Sequence, residues 1–125
     1  MNLLFGLFPS PPPLKARSRV YELKARLDWG EPALTIIDVR DRYEFNQCHI
    51  MGAVHLPTHQ LVDRALVSLE LIRDLYIYSD TDEDTAVAAA KLREVGYLNV
   101  SELQGGLPVW KAYDYPIERG VLSLV

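Results

Sequence analysis

The chain has 125 residues, 49% of them apolar and 24% charged, with a net charge of −4. This fits one soluble domain able to bury a real core and excludes a disordered chain. Lysines and arginines are scattered among acids, so no basic stripe for nucleic acid is expected.

The first eight residues, MNLLFGLF, are apolar, but they are too few, and lack the basic side chain, for a signal peptide or a membrane span. They are expected to tuck against the domain. A peripheral membrane or partner contact through residues 1–15 stays open. PSPPP lacks several N–H donors and favours an extended form. Residues 1–17 thus read as an apolar, proline-rich tail, and residues 18–125 as the domain.

Ser18 is expected to cap a helix with Val20, Leu23 and Leu27 on one stripe and Gly30 as its stop. ALTIID, ending in Asp38, is a continuous apolar run, which suggests a strand covered on both faces. DRYEFNQ reads as a short helix and GAVHLP as a short strand. The next helix carries Leu61, Ala65 and Leu69 at four-residue spacing, with Thr58 as its expected cap. LYIYS is a second buried strand. DTAVAAAKLREVG is a helix with Ala88, Leu92 and Val95 inward and Gly96 as its stop. NVSEL is a strand, GGLPVWKAY a turn and short helix, and YPIERG the exit. Strands alternate with helices, which predicts an α/β domain with a parallel sheet and helices on both faces. Ligands of such sheets sit beyond the carboxyl ends of the strands, here Asp38 and Ser79.

IIDVRDRYEFNQCHIMGAVHLP and YLNVSELQGGLPVWKAYDYPI resemble the opening and closing signatures of the rhodanese-like family. LYIYSDTDEDTAVAAAKLREVGY resembles the strand, loop and helix that carry its active site. The resemblance spans about residues 18–118. It implies a three-layer α/β/α domain with about five mainly parallel strands. It also implies structural motif positions at Asp38, Arg40, His49, Gly52, Gly105, Gly106 and Trp110. Active members use a cysteine at the start of the loop to carry sulfur as a persulfide, with loop amides and basic side chains holding the anion. Here Ser79 stands at that position and Thr85 at the loop's close. Asp80, Thr81, Asp82, Glu83 and Asp84 lie between.

A hydroxyl cannot carry persulfide sulfur, and the loop offers no histidine or lysine to activate Ser79 for other chemistry. Four carboxylates also oppose an anionic donor. They suit a helix start, where Thr81 and Asp84 have capping-box spacing. The expectation is therefore a degenerate loop and a domain that binds another protein, leaning against an enzyme, with no cofactor and no metal. Two alternatives remain: a sulfurtransferase by family membership, and an acidic-loop metal site. For the metal, Asp80, Asp82 and Asp84 alternate as in a calcium loop, but Thr85 and Lys91 replace its glycine and bidentate acid. The only cysteine, Cys48, can form no internal disulfide, so a reducing, cytoplasmic setting is expected. It reads as a small, partly buried thiol. His55 and His59 are separated by Pro57, which argues against a helical metal pair.

Overall fold

The computed structural model describes residues 14–30 and 33–120. Five strands form one parallel sheet in the order β1-β6-β5-β2-β4. They are β1 (Arg17–Ser18), β2 (Leu34–Asp38), β4 (Val54–His55), β5 (Asp74–Tyr78) and β6 (Val100–Leu103). A separate antiparallel pair joins β3 (His49–Ile50) to β7 (Ile117–Glu118). The helices are α1 (Val20–Trp29), α2 (Arg42–Gln47), α3 (Leu61–Ser68), α4 (Asp82–Glu94) and α5 (Gly106–Ala112), and Thr58–Gln60 adds a 3₁₀ turn before α3.

The continuous apolar runs make sense in this arrangement. Successive strand residues point to opposite faces, and both faces are covered. Ile37, Leu75, Ile77 and Val100 meet Leu61 and Ala65 of α3 and Ala88, Ala89 and Leu92 of α4. Ile36, Tyr76, Tyr78 and Leu103 meet Val20 and Leu23 of α1, Leu107 and Trp110 of α5, and Ile50. Each fully buried Leu or Ile contributes about 1.5–3 kcal/mol. The result is three layers, as the alternation of elements predicts.

Several local expectations are corrected. Ser18 is a strand residue, not a helix cap: Arg17 pairs with Glu102 and the Ser18 hydroxyl with that of Ser101 at 2.5 Å. Arg19 caps α1 instead, its amide donating to Glu22. Thr58 does not cap α3, because its hydroxyl donates to the Val39 carbonyl and the 3₁₀ turn intervenes. Val95 is 36% exposed, while Thr85 and Ala89 take the inward stripe of α4. Of the expected tail, residues 1–17, the first thirteen fall outside the described residues, while Arg17 lies in β1 opposite Glu102.

Candidate functional site

The register sets Asp38, the last residue of β2, beside Tyr78, the last of β5. Ser79 and Val39 therefore leave the sheet side by side, and the Val39 amide donates to the Tyr78 carbonyl at 3.2 Å. At this edge lies a cleft of about 300 Å³ lined by Arg40, Ser79, Asp80, Leu107, Pro108 and Lys111.

The loop from Ser79 to Thr85 is held by its own hydroxyls. The buried Ser79 amide donates to Thr85 Oγ1 at 2.9 Å, and that hydroxyl donates to the Thr81 carbonyl at 2.9 Å. Thr81 Oγ1 accepts from the Asp84 amide at 3.1 Å, capping α4. Asp82 turns away from the loop and accepts the Gly105 amide at 2.9 Å. Two threonine hydroxyls, rather than the carboxylates, therefore fold back into the loop.

The loop sequence contains no cation, but the fold supplies two at the cleft. Lys111 comes from α5. Arg40 comes from the β2–α2 connection, and its Nη1 lies 3.9 Å from Asp80 Oδ1. Most of the guanidinium is committed to Asp38, with Nε 3.0 Å from Oδ1 and Nη2 2.8 Å from Oδ2, and Nη2 also donates to the Cys48 carbonyl at 2.6 Å. Burial alone would lower the Arg40 pKa, but bonding and charge from Asp38 carry it above the ordinary value. Burial, then the charge of Asp38, raises the Tyr78 phenol, whose oxygen accepts the Ile50 amide at 3.0 Å.

Glu44 completes the cluster. Its Oε2 is buried and receives no hydrogen bond, while Asp80 faces it. Two acceptor-only carboxylates side by side want a shared proton. Asp80 first, then burial, pushes Glu44 up to about 7.

Other singled-out residues serve the scaffold. His49 is buried, stacks on Phe45 at 3.7 Å and donates through Nδ1 to the Phe45 carbonyl. His55 Nε2 donates to the Arg40 carbonyl at 2.7 Å, which leaves its buried Nδ1 without a partner. His59 lines a neighbouring groove with Arg42 and Gln60. The Gly52 amide donates to Glu118 at 2.6 Å in the β3–β7 corner, and Gly52 is not among the residues lining the cleft. Gly105 and Gly106 have φ of 80° and 49°, a turn only glycine enters freely, and Trp110 is buried with its indole donating to the Pro116 carbonyl. Cys48 is buried in the core layer containing α1 and α5. Among the described residues no three His, Cys, Asp or Glu side chains converge on a metal position, and no helix is long and apolar enough to cross a membrane.

Sequence reasoning did not single out Glu44, Leu107, Pro108 or Lys111. Glu44 had a usable signal, because Asp41 caps α2 and Glu44 is its third residue, on the turn that meets the loop.

The model of the rhodanese-like domain matches residues 19–113. The chain belongs to the rhodanese-like family. It is 32% identical over 88 residues to the thiosulfate sulfurtransferase GlpE of Pseudomonas savastanoi pv. phaseolicola, covering 70% of this chain and 81% of that one. It is also 32% identical over 110 residues to the adenylyltransferase and sulfurtransferase UBA4 of Lodderomyces elongisporus, covering 79% of this chain but only 24% of UBA4. The crystal structure of the Alr3790 protein from Anabaena superposes with a TM-score of 0.82 at 52% identity, covering 84% of this chain and 94% of that one. The solution structure of the rhodanese-like domain of Alr3790 gives 0.81 at 52% identity, covering 86% and 81%. The chain is thus a rhodanese-like domain with sulfurtransferase homologues, and it spans about a quarter of UBA4.

Proposed function

We infer that this rhodanese-like domain is non-catalytic and acts by binding another protein. The observation that supports the reading is the residue that follows β5 and lines the cleft: it is Ser79, with its amide tied to Thr85. We take Ser79 to occupy the position of the family's reactive cysteine. An oxygen there cannot hold a persulfide.

The surroundings support this. Among the described residues no histidine or lysine is hydrogen-bonded to the Ser79 hydroxyl, and His49 and His55 are committed to backbone carbonyls. Arg40 is held by Asp38, so little of its charge is free for an anionic donor. The cleft mixes Leu107 and Pro108 with Arg40, Lys111 and Asp80, a lining that suits a peptide segment of mixed polarity better than a small anion. A buried single thiol accords with a reducing, cytoplasmic setting.

The names of the relatives favour a second reading, a sulfurtransferase. In this chain only Cys48 could then carry the sulfur. Intact mass spectrometry after incubation with thiosulfate decides between the two. The non-catalytic reading expects an unchanged mass; a gain of about 32 Da, one sulfur per chain, would support the enzyme.

A further inference from the structure

At the amino-terminal edge of the sheet, opposite the Ser79 cleft, four apolar side chains face solvent. Leu98 is 73% exposed, Ile72 66%, Leu71 43% and Val95 36%. They come from the connections that precede β5 and β6, and those two segments are fastened together. The Leu98 amide donates to the Leu71 carbonyl at 3.1 Å, and Asn99 Nδ2 to the Ile72 carbonyl at 3.0 Å. Gly96 lies against the Leu71 side chain. The patch is therefore fixed by its backbone, and a contiguous apolar surface of this kind marks a contact site.

The chain enters the domain beside this patch. β1 is the outer strand, parallel to β6, with Arg17 opposite Glu102. The same register, followed three residues back, sets Leu14 level with Asn99. Leu14, like Leu27 and Leu34, is partly buried and packs against the core layer that holds Leu23, Ile36 and Leu103. The thirteen residues ahead of it, outside the described residues, read MNLLFGLF followed by PSPPP and carry no charged side chain.

We propose that Leu3–Phe8 of the same chain pack on Leu71, Ile72 and Leu98. The lengths agree. Five residues of polyproline-like spacer reach about 15 Å. Strands lie about 4.8 Å apart, so the β5 connection is about 10 Å from β1. A tether this short holds the segment near its site at an effective concentration in the millimolar range, which favours the chain's own segment over that of a second copy. Surface binding to a bilayer draws on basic residues, and this segment has none.

NMR of the full chain, without lipid and at two protein concentrations, tests the proposal. The expected result is a set of nuclear Overhauser contacts between the Phe5 or Phe8 ring and the methyls of Leu71, Ile72 or Leu98, equally strong at both concentrations. Absence of these contacts, contacts that grow with concentration, or contacts seen only with phosphatidylcholine vesicles would each overturn it. A second arm is a thermal double-mutant cycle pairing Phe5→Ala/Phe8→Ala with Leu98→Ala. The Tm loss of the combined variant should fall clearly short of the sum of the separate losses; strict additivity would contradict the contact.

Discussion

The buried amide of Ser79 donates to the hydroxyl of Thr85, six residues away, and thereby closes the loop that ends β5 on the first turn of α4. Thr85 is 1% exposed and donates onward to the Thr81 carbonyl. Thr85→Val keeps the shape and removes both bonds. Leaving the buried amide without an acceptor costs about 1–3 kcal/mol. Urea unfolding should show that loss, and Thr85→Ser should recover most of it. Equal stability of Thr85→Val and wild type would mean that the hydroxyl does not hold the loop.

Asp38 is fully buried beneath Arg40. Removing one partner of such a pair strands the other charge, at about 3–5 kcal/mol. Asp38→Ala should be destabilised by that amount. Asp38→Ala combined with Arg40→Met should recover part of it, because the combined variant buries no unpaired charge. Denaturant midpoints of the three proteins check this.

Glu44 gives the fold a pH dependence of defined sign. Its pKa rises from the ordinary 4.5 to about 7 in the folded chain. The folded state therefore binds the proton more tightly than the unfolded one. The contribution is fully present below about 4.5 and is lost as pH rises through about 7. Glu44→Gln mimics the protonated form, so the fall in stability across pH 4.5–7 should flatten in this variant. A Tm-against-pH profile that keeps its slope would assign the dependence to another group.

Gly106 couples the last turn to the cleft. Its φ is 49°, and a Cβ there would stand 3.0 Å from the Ser79 carbonyl. Gly106→Ala is expected to lose about 1–3 kcal/mol through backbone strain, with the contact adding to it. Heteronuclear shift mapping should place the accompanying changes at Ser79 and Asp80; changes confined to residues around Gly106 would argue against the coupling.

Supplying the missing sulfur should not by itself restore an enzyme. Ser79→Cys puts a thiol-bearing residue in the lining of the cleft, but Asp80, Asp82 and Glu83 remain and Arg40 stays paired with Asp38. Adding Asp80→Asn, Asp82→Asn and Glu83→Gln should raise thiosulfate turnover about tenfold or more over Ser79→Cys alone, equivalent to about 1.4 kcal/mol of the barrier. Equal rates would show that the loop's charge matters little.

Much of the fold is legible in the sequence because parallel strands covered on both faces leave long apolar runs, as in Leu34–Asp38 and Asp74–Tyr78. Gly30 shows its role as a helix stop, at φ 74°, for the same local reason. Of the two-residue strands, Val54–His55 shows in GAVHLP, but the other three leave no such trace. Arg17–Ser18, His49–Ile50 and Ile117–Glu118 are defined by their distant partners, so Ser18 looks like a cap until Ser101 is seen beside it. At the cleft, Asp38, Arg40 and the loop from Ser79 to Thr85 can be read from their place at strand ends. Lys111, the Asp80–Glu44 contact and the turning of Asp82 towards Gly105 cannot, because each depends on which helices the fold brings to that edge.

Thiosulfate-to-cyanide sulfur transfer by the wild-type chain, set against Ser79→Ala, tests the central claim most directly. The non-catalytic reading predicts identical rates at the uncatalysed background. Turnover by the wild type well above Ser79→Ala would contradict it.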